Sequence, residues 1–191
     1  MNNQAFIGDG SPDASARVWA PLAADKDLLP GSGNARPALY AATAPAHATS
    51  AKRAPPLLLV HSINAAPSAI EMLPVFERQA RRRAVVALEL PGFGAADRPD
   101  VRYDPQQMQQ AVAAAIDWVQ RNVADEPIDV MALSLGCEFV AQVALQRPQS
   151  VRTLAFISPT GMDEHRIDER YEGGRTRTMP AARALLRQAA I

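Results

Sequence analysis

Val130-Met131-Ala132-Leu133-Ser134-Leu135-Gly136-Cys137 is the stretch of this 191-residue chain from which the rest can be read. An apolar strand, Ile128 to Leu133, runs straight into a serine and then into a helix. Small residues stand two before and two after the serine, at Ala132 and Gly136. A serine held on a sharp strand-to-helix turn needs such neighbours, because the backbones at those two positions crowd each other. The turn lifts the hydroxyl clear of the sheet, and the following helix directs backbone N–H groups and its positive dipole end toward it. The same octapeptide also fits a serine capping an ordinary helix after an ordinary strand. Taken alone, it does not choose.

Working outward, Leu57-Leu58-Leu59-Val60 is a continuous apolar run behind Pro55-Pro56, the pattern of a strand covered on both faces. His61-Ser62-Ile63-Asn64-Ala65 follows, and then a helix is expected from about Ser68, with Ile70, Leu73, Val75 and Phe76 facing inward. Arg81-Arg82-Arg83 closes that helix, where positive charge suits the C-terminal dipole. Ala84 to Leu90 is the next strand, and Pro91 to Pro99 the turn behind it. From about Pro105 to Val123, the residues Met108, Ala111, Val112, Ala115, Ile116 and Val119 recur at helical spacing, the best amphipathic pattern in the chain. The strand before Ser134, its helix (Phe139, Val140, Val143 and Ala144 inward) and a strand over Val151–Ile157 complete the series. Strand and helix alternate four times, which predicts an α/β fold: a three-layer sandwich with a mostly parallel sheet.

Four short motifs now resemble one family, the α/β-hydrolases. His61-Ser62-Ile63-Asn64 resembles the His-Gly-x loop after their third strand, and Glu89-Leu90-Pro91-Gly92-Phe93-Gly94 the Asp-x-Pro-Gly-x-Gly turn after their fourth. Ala132 to Gly136 is similar to their nucleophile elbow, with alanine at the commoner first glycine, and Ser158-Pro159-Thr160-Gly161 to the end of their sixth strand. Order and intervals agree across residues 55 to 162. The resemblance implies Ser134 as a nucleophile forming an acyl-enzyme, with the backbone N–H groups of Leu135 and Ile63 as oxyanion donors. It implies that His61 packs and hydrogen-bonds the loop rather than acting as base. Ser62 at the usual glycine bears on that loop's geometry, because a side chain restricts the backbone. Cys137, on the first turn of the helix, reads as a small buried residue.

The triad order implied by the family is serine, acid, histidine. After Ser134 the chain holds one histidine, His165, in Met162-Asp163-Glu164-His165-Arg166, where the family begins its lid. Residues 1–36, rich in Ala, Pro, Gly, Ser and Asp, are expected to be disordered. Residues 37–162 form the core, opening with an antiparallel pair of which Pro37–Ala41 is one strand. Residues 163–191 are expected to be the start of a helical lid, so the fold is incomplete at the C-terminus, lacking its last strands and histidine loop. Domains of this kind run to about 200–250 residues or more. Three functional readings follow. The preferred one is a truncated serine esterase-like hydrolase with no competent base. The others are a working hydrolase using His165 with Asp163, Glu164 or Asp168, and a non-catalytic ligand-binding or scaffold protein that keeps the pocket.

Composition bounds the rest. Twenty basic and twenty acidic residues cancel, so no charge steers the chain to nucleic acid or an anionic membrane. No apolar run reaches the roughly 20 residues of a membrane span, and the first residues lack a secretory signal's pattern. A cytoplasmic protein is the default expectation. One cysteine excludes an internal disulfide and a cysteine metal cage, and no cluster has metal-ligand spacing. Pro91-Gly92-Phe93-Gly94 lacks the third glycine and directly following helix of a dinucleotide loop. No cofactor and no metal are expected. The expected partner is a small-molecule ester or another acyl substrate, with the oligomeric state open.

Overall fold

The computed structural model describes residues 22, 24–31, 34–42 and 54–160. Along it run β1 (Asp25–Leu28), β2 (Ala38–Ala42), β3 (Leu57–Val60), a 3-10 turn (Ala69–Met72), α1 (Leu73–Ala80) and β4 (Val85–Glu89). These are followed by α2 (Pro105–Asn122), β5 (Ile128–Leu133), α3 (Gly136–Gln146) and β6 (Val151–Ile157). All the strands belong to one sheet, in the order β1-β2-β4-β3-β5-β6. The β1–β2 and β2–β4 pairs are antiparallel, whereas β4, β3, β5 and β6 run parallel. β3, β4 and β5 run parallel and finish at one end of the sheet, where the segments that follow them gather.

Strand pleat sorts the core into two layers. Leu58, Val60, Val86, Leu88 and Val130 face α2 and α3, packing on Met108, Val112, Ile116, Val119, Phe139 and Val140. Their neighbours Leu57, Leu59, Val85 and Ala87 face the opposite side, against Ala69, Met72 and Phe76. β3 is therefore apolar and buried at every position, the signature of a strand covered on both faces. The α2 stripe expected from spacing is buried in full. Asp104 caps that helix, accepting from the Gln107 N–H at 2.8 Å while its own N–H donates to the Gln107 side chain at 3.1 Å.

Several expectations need correction. The opening antiparallel pair pairs β2 with a strand that precedes it, so the ordered core reaches back to Asp25, inside the stretch expected to be disordered. β1 is an edge strand whose Asp25, Lys26 and Asp27 are exposed, so it carries charge in place of apolar alternation. Leu22 and Leu29 beside it are buried. Arg36 fastens the segment to the turn after β4, donating to Asp97 at 2.6 Å and accepting the Asp97 N–H at 2.9 Å. The helix expected from Ser68 is a 3-10 turn capped by Ser68, and α1 itself starts at Leu73 with Pro74 in its first turn. Its fully buried residues are Ala69, Met72 and Phe76; Ile70, Leu73 and Val75 are half-buried. The expected lid over residues 163–191, with His165, and most of the N-terminal lead lie outside the described residues.

Arg83, read from sequence as a helix-dipole charge, has a more specific role. It donates to Asp129 Oδ2 on β5 at 2.6 Å, and that carboxylate also accepts from Arg152 at 2.5 Å and Thr153 at 2.5 Å on β6. The Asp129 side chain is only 7% exposed. Burial pushes its carboxyl up, but the hydrogen bonds from Arg152, Thr153 and Arg83 together outweigh it and hold the carboxyl below its ordinary range. Removing one partner of a buried pair leaves the other charge stranded, so Asp129→Ala should cost about 3 kcal/mol of unfolding free energy. A carboxyl with a lowered folded pKa stabilises above about pH 3.9 and loses that contribution as pH falls through the lowered value. The stability gap between parent and Asp129→Asn, followed by urea unfolding, should therefore narrow below about pH 4.

Candidate active site

Ser134 sits between β5 and α3 with φ 52°, in the left-handed region that non-glycine residues enter at a cost. Its N–H donates to the Ile157 carbonyl at the end of β6 at 2.9 Å, and its carbonyl accepts from Cys137 N–H at 3.1 Å. The turn is thus clamped by the neighbouring strand on one side and the first turn of α3 on the other. The bonds holding it do not use the Leu135 N–H, which belongs to the N-cap residue of α3. Ser134 and Leu135 are both half-buried. Ser158, at the end of β6, is also left-handed, with φ 44°.

The small residue at 136 has a measurable reason. A Cβ there would lie 2.3 Å from the His61 carbonyl oxygen, so α3 reaches the loop after β3 only because Gly136 has no side chain. Cys137 is fully buried, its thiol donating to the Ala132 carbonyl at 3.2 Å, and burial pushes its pKa up to about 11. It is a packed thiol, not a reactive one.

His61 is buried completely. Its Nδ1 lies 2.5 Å from the Ser62 carbonyl, and its Nε2 accepts the Leu90 N–H at 3.0 Å. That pattern fixes the neutral tautomer with the proton on Nδ1. Burial lowers its pKa, while the Ser62 carbonyl and Glu71 act in the opposite sense. The ring meets Phe93 edge-on at 5.7 Å between centroids. With both nitrogens engaged, His61 ties the loop after β3 to the turn after β4 and has no lone pair left for Ser134.

Ile63 is half-buried in that loop and packs on the core face shared with α2 and α3. On either side of it, Ser62 and Asn64 are held by Glu71, a residue that the sequence reading passed over. In the turn after β4, buried Glu89 accepts the N–H groups of Ala69, at 3.0 Å, and of Ala95. Gly94 is left-handed at φ 51°, and a Cβ there would fall 2.0 Å from the Glu89 carboxyl. A cleft of about 790 Å³ opens between the two loops, lined by Ala66, Ser68, Glu89, Phe93, Ala96 and Arg98 among others; Ser134 is not among its lining residues. Among the described residues no group of three or more His, Cys, Asp or Glu could hold a metal ion, and no helix is long and apolar enough to cross a membrane.

The family model of the alpha/beta hydrolase fold matches residues 55–186, well over half of the chain. The chain belongs to the α/β-hydrolase family. Over 113 residues it is 28% identical to the abhydrolase domain-containing protein abhd-5.2 of Caenorhabditis elegans, a match that covers 57% of this chain and 24% of the relative. The haloalkane dehalogenase DatA from Agrobacterium tumefaciens C58 superposes with a TM-score of 0.56 at 21% identity, over 71% of this chain and 41% of that one. The serine hydrolase CarC, involved in carbazole degradation, does so with 0.56 at 18%, over 75% and 51%. At those identities the structural likeness is one of fold. The chain spans about a quarter of the curated relative's length and 41% and 51% of the two solved structures.

Two substitutions test the geometry of the turn. Gly136→Ala should destabilise by about 1–3 kcal/mol, because α3 must lift off the His61 carbonyl. Ser134→Gly should be more stable than Ser134→Ala by about 1 kcal/mol, because only glycine relieves the left-handed backbone. Urea unfolding of the three variants beside the parent reads both differences.

Proposed function

We propose that this chain carries the nucleophile and oxyanion half of a serine hydrolase acting on a small-molecule ester or another acyl group. The observation that carries the proposal is Ser134 itself, a non-glycine residue at φ 52° on a strand-to-helix turn. Left-handed backbone at a serine is a cost that persists where the surrounding structure enforces it, and such strain clusters at functional sites. In this reading Ser134 Oγ attacks the acyl carbon, forming a C–O bond as its proton passes to a base. The carbonyl oxygen becomes an oxyanion that accepts from the N–H groups of Leu135 and Ile63. Collapse expels the leaving group, which takes up the proton, and water then hydrolyses the acyl-enzyme. These steps need no cofactor.

The base is the open part of the machine. Among the described residues the sole histidine is His61, and both of its nitrogens are committed. That observation supports the preferred form of the proposal, in which this chain alone turns over very slowly. It also sustains a second reading, a ligand-binding protein that keeps the hydrolase pocket without catalysis. Asp163 and His165 would supply acid and base only in a third arrangement, and they lie outside the described residues.

Labelling with a fluorescent fluorophosphonate separates the readings, since the reagent forms a Ser–O–P bond as fluoride leaves. Slow labelling that Ser134→Ala abolishes and His165→Ala leaves unchanged is the expected result, several orders of magnitude below a complete triad. Rapid labelling lost in both variants would mean that His165 completes the machine. Labelling indifferent to Ser134→Ala would remove Ser134 from the chemistry. An acyl ligand bound equally by parent and Ser134→Ala, without labelling, would favour the binding protein.

A further inference from the structure

Glu71 lies on the 3-10 turn before α1 and turns its carboxylate back onto the loop after β3. Its Oε2 accepts the Ser62 backbone N–H at 2.9 Å, and the Ser62 hydroxyl lies 2.8 Å from both carboxylate oxygens. Asn64 Nδ2 donates to Glu71 Oε1 at 2.6 Å and to Ser62 Oγ at 2.7 Å, and Asn64 Oδ1 accepts the Ala66 N–H at 2.8 Å. One carboxylate therefore grips the residues immediately before and after Ile63.

The consequence falls on the Ile63 N–H. The peptide joining Ser62 to Ile63 is planar and trans, so its C=O and N–H point in opposite directions. His61 Nδ1 fixes the C=O end at 2.5 Å. Glu71 holds the Ser62 backbone N–H on one flank and the Asn64 side-chain amide on the other, which restrains the rotation that would swing the peptide plane. We infer that Glu71 is a positioning residue, holding the Ser62–Ile63 peptide so that the Ile63 N–H is presented at a fixed angle as an oxyanion donor. This rests on the reading of Ser134 as nucleophile. It also explains the serine at 62. Where glycine offers the carboxylate one N–H, Ser62 adds a hydroxyl, so a side chain there strengthens the grip on the loop.

The test uses phenylboronic acid and the 191-residue chain. Ser134 Oγ bonds to boron, the hydroxyl proton leaves to solvent, and boron turns from trigonal to tetrahedral, which boron-11 NMR reads directly. One boronate oxygen then occupies the oxyanion position. Loss of an oxyanion donor typically costs about 10²–10³ in rate, and a loosened donor should cost less. Glu71→Ala is expected to weaken the tetrahedral adduct about 10-fold or more. Glu71→Gln, which keeps one acceptor, should recover part of that loss, and Ile63 amide exchange should rise in step with the weakening. If Glu71→Ala does not fold, exposed Asn64→Ala serves in its place, with a loss of several-fold expected.

An adduct lost in Ser134→Ala but of parental strength in folded Glu71→Ala, or in Asn64→Ala where Glu71→Ala does not fold, would overturn the role of Glu71 and leave the nucleophile standing. Absence of any Ser134-dependent adduct in the parent would overturn the nucleophile, and the positioning role with it.

Discussion

Three segments, the ones that follow β3, β4 and β5, converge on His61. Its Nδ1 holds the Ser62 carbonyl, its Nε2 takes the Leu90 N–H, its ring edge meets Phe93, and its own carbonyl marks how closely Gly136 approaches. The loop after β3, the turn after β4 and the start of α3 are thereby referenced to one buried imidazole. Such a hub works only if the ring stays neutral in one tautomer. Protonation would place a second proton on Nε2, facing the Leu90 N–H, and set two donors against each other. Burial lowers the pKa in the direction that keeps the ring neutral, so desolvation here serves the geometry.

With the hub fixed, the constraints on residue size follow as close approaches rather than preferences. Gly136 is small because the His61 carbonyl occupies the space its Cβ would need, and Gly94 because the Glu89 carboxyl does. Glu89 is itself held by N–H groups from the start of the 3-10 turn and from the turn after β4. Two buried or half-buried carboxylates thus brace these loops, Glu71 holding the loop after β3 and Glu89 joining the start of the 3-10 turn to the turn after β4. A carboxylate accepting backbone N–H groups makes a stronger bond than a neutral acceptor would. The loops that present Ile63 are ordered by acceptors, not by apolar packing alone.

What the sequence made legible follows from this division. The strands β3 to β5, and α2 with its six buried positions, carry apolar runs or helical periodicity, and burial drives both, whereas β6 is apolar in part with no residue buried. β1 was not legible, because an edge strand of Asp25, Lys26 and Asp27 has nothing to bury. The 3-10 turn was read as helix because the same residues satisfy either period over so short a span. Arg83 was assigned to its own helix, since its partner Asp129 lies on a strand 46 positions away and periodicity cannot see it. Within the site, Ser134 was visible as a spacing of small residues. Its left-handed backbone was not, and neither was Glu71, whose bonds to Ser62 and Asn64 cross from a loop to a turn.

Under the proposed reading of Ser134 as nucleophile, the site also divides unevenly between local and distant structure. Ser134, Leu135 and Ile63 are set by two loops leaving adjacent parallel strands, β5 and β3, whose register pairs Val60 with Ala132. The two loops meet where Gly136 approaches the His61 carbonyl. Among the described residues a base has no comparable anchor. His61 is spent on architecture, and Ser134 faces β6, whose own outer side is exposed at Ile157. The conformation of Ser134 is therefore set by β5, α3 and the end of β6, whereas in the proposed reading its reactivity depends on a group brought to it by another element. Strain at Ser134 and slow chemistry at Ser134 are compatible, because the first needs only β5, α3 and the end of β6, and the second needs a proton acceptor as well.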